Sequence, residues 1–209
     1  IETPSFPKNQ PKFSPEFIQA LNKKYKPLTY NERIQEVYKD FDKGEIMLTS
    51  SFAATSALLL KLVSDINNKQ KIYFIDTSYH FEETLKYKDD LTKRFNLNVS
   101  PISGLDEHQK FTTKDETWKK NPDLCCNINK IRPLNIIKQY FNVWISGLME
   151  WQSDHRATLD IFEMRGDILK FYPLLDMSKD ERDHLINKHE LPFHPLVHKG
   201  YQSIGCKHC

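Results

Sequence analysis

The chain has 209 residues, 39% hydrophobic and 12% aromatic, enough for one domain with a sizeable core, so disorder is not its default state. Thirty lysines and arginines stand against 28 aspartates and glutamates, a formal charge of +2. That balance excludes holding nucleic acid or a membrane by bulk electrostatics; neither partner is expected, and a bound anion must be met by a few placed charges. No run approaches the roughly 18 apolar residues of a membrane span. The opening Ile1-Glu2-Thr3-Pro4 lacks the basic and apolar regions of a signal peptide, so a cytoplasmic protein is expected. Six scattered glycines (Gly44, Gly104, Gly147, Gly166, Gly200, Gly205) cannot write G-x-G-x-x-G or G-x-x-x-x-G-K-[ST], which removes two common nucleotide sites.

In chain order, Pro4, Pro7, Pro11, Pro15 and Pro27 mark residues 1–27 as an extended arm that wraps or links. Its length suits contact with another subunit of a homo-oligomer, and residues 28–209 then form a single α/β domain. Within the arm, Ser14 before Pro15 is an N-cap and first-turn pair that predicts a short helix to about Tyr25. Thr29-Tyr30-Asn31-Glu32 is a capping box for an amphipathic helix through Phe41 that stops at Gly44. The period then changes. Apolar runs at Glu45 to Thr49, Lys71 to Ile75 and Leu97 to Ile102 predict strands, separated by helices at Ala57 to Ile66 and around Glu82 to Phe95. Val143 to Ser146 and Ile168 to Tyr172 predict further strands, and a helix near Ser178 to His189 precedes a tail rich in proline and histidine. Strands alternating with helices, each strand nearly continuous in apolar residues, argue a mostly parallel sheet with helices on both faces. In such sheets the ligand sits beyond the carboxyl ends of the strands, which selects Ser50 to Ser56, Asp76 to Ser78 and the stretch after Gly147.

Those loops carry suitable chemistry. Ser50-Ser51-Phe52-Ala53-Ala54-Thr55-Ser56 places hydroxyls and small residues before a helix, where free N–H groups favour a phosphate. An anion cradle and a simple N-cap cluster both remain open at this point. Four cysteines, the adjacent Cys125 and Cys126 and the C-x-x-C of Cys206 and Cys209, suit zinc or an iron–sulfur cluster if reduced. Two inert core thiols plus a fortuitous C-x-x-C is the blander alternative. An adjacent pair is unlike the paired C-x-x-C knuckles of zinc ribbons, which tilts the reading towards a cluster. His80, His189, His194, His198 and His208 are read as loop histidines, since Pro195 breaks the helical spacing of His194 and His198.

The Ser50–Ser56 loop resembles the pyrophosphate loop of the adenine-nucleotide α-hydrolase-like superfamily, S-G-G-x-D-S. Thr55 stands where that motif has its aspartate, and Phe52 and Ala53 replace its glycines, which speaks against ATP pyrophosphatase chemistry. Taken with F-I-D-T-S and Glu82-Glu83-Thr84, C-C-N-I-N-K, W-I-S-G-L with Q-S-D-H-R, and L-P-F-H-P-L through C-K-H-C, the loop belongs to a set that looks like assimilatory adenylyl-sulfate (APS) reductases from about Leu28 to Cys209. The resemblance implies the superfamily fold and one four-iron four-sulfur cluster on Cys125, Cys126, Cys206 and Cys209. It also implies reduction of adenosine 5'-phosphosulfate to sulfite and AMP, with thioredoxin as reductant. The nucleophilic cysteine, which would carry an S-sulfonate, is expected on a tail beyond Cys209.

The same resemblance places Ser50, Ser51, Phe52, Ala53, Thr55, Ser56, Ile75, Asp76, Thr77 and Gly147 at the substrate, with the backbone near Ile75 reading adenine. Asp76 either orients its loop or meets the ribose. Lys130, one turn after Cys126 if that stretch is helical, becomes a catalytic cation between cluster and substrate. Arg156 becomes the guanidinium on the phosphosulfate. The family's G-L-R-R-x-Q-S reads Gly147-Leu148-Met149-Glu150-Trp151-Gln152-Ser153 here, so both arginines of the pair are absent. Rival readings are a reductase of the 3'-phosphorylated nucleotide, an ATP-dependent iron–sulfur enzyme of tRNA thiolation, and a non-catalytic zinc-stabilised module.

Overall fold

A computed structural model describes residues 12–201 and 203–208. Helices α1 (Pro15–Tyr25) and α2 (Tyr30–Asp40) come first, started by Ser14 and Thr29, whose side chains accept from Phe17 N and Glu32 N. Strand β1 (Ile46–Thr49), α3 (Ser56–Ile66), β2 (Lys71–Asp76), α4 (Glu82–Phe95) and β3 (Asn98–Ser103) follow in the alternation that the apolar runs predict. The sheet continues with β4 (Val143–Ile145), β5 (Phe162–Arg165) and β6 (Ile168–Phe171), and α9 (Lys179–Lys188) begins at a Ser178 capping box.

Six strands lie in the order β3-β2-β1-β4-β6-β5. All neighbours are parallel except β5 and β6. Strand order reverses at β1, which pairs with β2 on one side and β4 on the other, so a crevice opens at the carboxyl ends of these strands. Right-handed crossovers fix the layers: α3 and α4 advance the sheet towards β3 on one face, and the return from β3 to β4 must cross the other. Accordingly α3 packs with α2, α4 and α9, while α8 (Arg132–Lys138) packs against β3. Ile46, Leu48, Val143, Ile145, Leu169 and Phe171 fill the centre of the core. The expected mostly parallel α/β fold with helices on both faces is the one observed.

Three features depart from the sequence reading. The helix predicted inside the arm forms over residues 15–25, but it is docked on the sheet edge rather than part of an extended segment: the Tyr25 ring meets Phe162 edge-on at 4.7 Å, and the Asn22 carboxamide pairs with both backbone groups of Phe162 at 3.0 and 2.8 Å. The earlier part of the arm, residues 1–11, lies outside the described residues. Strand β5 was not expected; it is four residues long and joins β6 through Gly166, whose φ of +67° suits a tight hairpin. The polar stretch after β3 is helical: α5 (Asp106–Lys114), α6 (Thr117–Lys120) and α7 (Pro122–Cys126) run into a π-helical turn over Asn127–Ile131 before α8. Pro133 lies in the first turn of α8, where its missing N–H is harmless.

Arg33 pins the two helical ends together. Its guanidinium is 2% exposed and donates to the carbonyls of Tyr25, Lys26 and Pro173 and to both carboxylate oxygens of Asp176. Burial works against ionising Asp176, but the Arg33 partnership outweighs it and holds the carboxyl below its ordinary range.

Candidate active site

Beyond the carboxyl ends of β1, β2 and β4 lies a cavity of about 400 Å³, the size of a nucleotide site. The loop after β1 supplies Ser50, Ser51, Ala53, Thr55 and Ser56, and β2 with its following turn supplies Ile75, Thr77 and His80. Trp144 comes from β4 and Ser146, Gly147 and Leu148 from the turn after it, Lys130 and Leu134 from the π-turn and α8, and Ile204, Gly205 and Cys206 from the tail.

The helix entry after β1 differs from three other helix entries of the chain. Helices α1, α2 and α9 are each capped by a hydroxyl and carry a glutamate in the first turn. Helix α3, by contrast, has Thr55 at its N-cap with no side-chain cap and no acidic residue in its first turn. The Ser56 N–H donates to Ala53 O at 3.1 Å, and no side-chain cap occupies the first-turn N–H groups that follow it. The loop is shaped by Phe52, which takes a left-handed φ of +50° and donates its N–H to Ser50 Oγ at 3.1 Å. Its ring is fully buried edge-on to Phe74, so Phe52, expected at the substrate, serves the core and the turn. Gly147 allows close approach on the other side: a Cβ there would meet Leu59 Cδ2 at 3.2 Å.

Lys130 is the only lysine or arginine lining the cavity among the described residues. The helical run through Cys126 and the π-turn sets it about one turn beyond Cys126, as expected. Arg156 does not line the cavity; its guanidinium donates to Gln152 Oε1 within the turn after β4. Asp76 is not among the residues that line the cavity, and its carboxylate accepts from Ser78 N at 2.9 Å in the turn after β2. The absent arginine pair removes nothing from this wall: Met149 is fully buried in the core, and Glu150 borders a separate groove beside α1.

Of the cysteines described, Cys206 borders the cavity, and Cys125 and Cys126 lie outside its lining. Cys206 Sγ lies 3.2 Å from Thr77 Oγ1, and the backbone at Cys206 bridges to His80. Cys125 is buried with Asn129 Nδ2 3.6 Å from its Sγ, whereas Cys126 is exposed. Polar hydrogens within reach of both sulfurs suit thiolates that hold a metal centre, and Oδ1 of the Asn129 carboxamide next to Cys125 is a buried polar atom with no hydrogen-bond partner. Cys209 lies outside the described residues, and among those described no group of three or more His, Cys, Asp or Glu side chains is set to hold a metal ion.

Of the wall residues that escaped the sequence reading, His80 and Trp144 carry a polar ring nitrogen. His80, taken as a loop histidine, lies with Nε2 2.9 Å from the Ile75 carbonyl and its ring 4.7 Å from Phe74. Trp144 donates from Nε1 to Thr49 Oγ1 at 2.9 Å and lays its indole along the cavity. His80 carries no periodic signal; Trp144 had one, as an aromatic in an inner strand at the switch point.

The model of the phosphoadenosine phosphosulfate reductase domain matches residues 45–209. An adenosine 5'-phosphosulfate reductase of Bacillus thuringiensis (strain Al Hakam) is 37% identical over 178 residues, covering 82% of this chain and 75% of the relative. A protein of the same name from Bacillus cereus (strain AH820) matches equally. Among solved structures, phosphoadenylyl-sulfate (PAPS) reductase from Candida auris superposes with a TM-score of 0.82 at 24% identity, over 95% of this chain and 98% of that one. An FMN adenylyltransferase of Candida glabrata shares the fold at a TM-score of 0.58 and 13% identity, over 91% of this chain and 70% of that one. With its cavity at the switch point of the sheet and the family match running from the first strand to the last cysteine, the chain belongs to the phosphoadenosine phosphosulfate reductase domain family.

Proposed function

We propose that the protein reduces adenosine 5'-phosphosulfate to sulfite and AMP. One observation carries the reading: the uncapped first turn of α3 and the ammonium of Lys130 face the same space that Cys206 borders. A phosphosulfate held there has its charge met by N–H dipoles and one cation, and its sulfur lies towards the thiol side. The names of the Bacillus relatives support the same substrate.

The attacking group is a thiolate of a further cysteine, carried on a segment beyond Cys209. As its bond to the sulfate sulfur forms, the bond from that sulfur to the phosphate oxygen breaks and the electron pair leaves with AMP. A thiolate of thioredoxin then attacks the cysteine sulfur of the resulting S-sulfonate, and sulfite departs with the bonding pair. The second thiol of thioredoxin completes its own disulfide and frees the enzyme thiol. The sulfate sulfur gains two electrons and the dithiol loses two. Lys130 steadies the negative charge that grows on the phosphate, and the α3 turn holds that group in place. Cys125, Cys126, Cys206 and Cys209 would hold a four-iron four-sulfur cluster, which when bound supplies a fixed charged surface beside the substrate.

The test is sulfite release by the intact gene product, purified anaerobically, with thioredoxin and either the nucleotide or its 3'-phosphorylated form. A higher kcat/KM for the unphosphorylated nucleotide is expected. Lys130→Met should lower it by about 10²- to 10³-fold, as loss of a transition-state donor does. No sulfite from protein that absorbs at about 400 nm as a cluster does overturns the proposal.

A further inference from the structure

Hydrogen bonds that pass through Tyr79, which is 5% exposed, join the segment bearing Cys125 to the segment bearing Cys206. Thr112 fixes the proton directions. Its hydroxyl donates to Gln109 O at 3.1 Å, so its oxygen accepts from Tyr79 Oη at 2.8 Å and from Asn129 Nδ2 at 3.1 Å. Tyr79 Oη in turn accepts from Thr113 Oγ1 at 2.9 Å. Asn129 Nδ2 also meets Cys125 O at 3.1 Å and Cys125 Sγ at 3.6 Å, which completes the path to the first thiol.

The other side of Tyr79 faces the tail. Its N–H donates to Thr77 Oγ1 at 3.3 Å, the oxygen that stands 3.2 Å from Cys206 Sγ, and its carbonyl accepts from Lys207 N at 2.8 Å. Its ring is 5.0 Å from Trp118 and 5.6 Å from His208, and those two rings stack on each other at 4.2 Å with planes 7° apart. Three stretches distant in sequence therefore close around one tyrosine: the loop after β2, the helices before Cys125, and the turn from Cys206 to His208.

We propose that Tyr79 is a positioning residue that sets the spacing of the two cysteine-bearing segments. Its hydroxyl acts on Cys125 through Thr112 and Asn129, and its ring and backbone act on Cys206 through Trp118, His208 and Thr77. The proposal rests on the reductase reading only for what the thiols hold; the linkage itself belongs to the polypeptide.

The two arms can be cut separately. In the full chain under anaerobic, reducing conditions, the rate of alkylation of each cysteine by iodoacetamide is read by mass spectrometry, with iron content measured in the same samples. Tyr79→Phe keeps the ring and removes the hydroxyl, so Cys125 should react about fivefold faster, the factor one net hydrogen bond is worth, with Cys206 unchanged. Thr112→Val should reproduce that pattern. His208→Leu should instead accelerate Cys206 and leave Cys125 alone, and Cys126, exposed and outside the linkage, should keep its rate in every variant. Equal rates in wild type and all three variants, or acceleration of every cysteine together, would overturn the assignment. Iron-free wild-type protein would undo the cluster reading while the alkylation pattern still decides the role of Tyr79.

Discussion

On β6, Lys170 holds its amine 2.6 Å from the centroid of the Trp144 ring, the indole that lines the cavity. The ring face favours a cation, but burial disfavours it and Lys138 and Arg165 add like charge, so the pKa is pushed down to about 7. Between about pH 7 and the ordinary lysine value of about 10.4, the unfolded chain binds a proton at this position that the folded chain does not, and stability therefore rises with pH. Below pH 7 the ammonium is charged in both states and the cost of burying it is present in full. Lys170→Met should be more stable than wild type at pH 6.5, with the advantage shrinking steadily towards pH 10, as thermal midpoints of the two proteins side by side would show. An advantage independent of pH would mean that packing on Trp144, not charge, governs this position.

At the level of elements, the sheet must manage its exposed edge at β5. Asn22 does so from α1: its carboxamide presents one donor and one acceptor to Phe162, in the manner of a neighbouring strand. Asn22→Leu should cost about 2 kcal/mol, two hydrogen bonds at the usual net value, measured by urea unfolding. It should also increase self-association in sedimentation velocity, because the edge is left unpaired. Unchanged stability and a monodisperse variant would show that the pairing is incidental. Elements with local causes were the legible ones: Ser14, Thr29 and Ser178 announced helix starts, and the apolar runs announced β1, β2 and β4. Strand β5 was opaque because it is short and draws its order from Tyr25 and Asn22, some 140 positions away in the case of Asn22. The helices between β3 and β4 were opaque because their faces are mostly polar. In the site, the Ser/Thr loop, Lys130 and Cys206 were found from sequence, whereas the uncapped α3 turn, the buried Phe52 ring and His80 depend on contacts that periodicity does not encode.

Over the whole molecule, the tail is held by α4. Tyr87 Oη donates to Pro192 O at 2.7 Å, Lys199 pairs with Glu83 at 2.8 Å, and His194 is fully buried between them. His194 Nδ1 accepts from Leu196 N, so the proton sits on Nε2, which donates to Thr84 Oγ1 at 3.0 Å. Burial holds the His194 pKa below its ordinary value against the pull of Glu83. The unfolded chain therefore takes up a proton first as pH falls, and stability drops through and below the ordinary histidine range. Amide protection over residues 192–201 should decline from pH 7.5 to 5.5 in wild type and not in His194→Leu; identical profiles would remove His194 from the account. The order in which the walls are laid down along the polypeptide has a consequence for inheritance. Among the described residues that line the cavity, those from Thr49 to Leu148 precede the tail, and Ile204, Gly205 and Cys206 are added afterwards. A change in the terminal sulfur-bearing turn can therefore be inherited without disturbing most of the cavity wall.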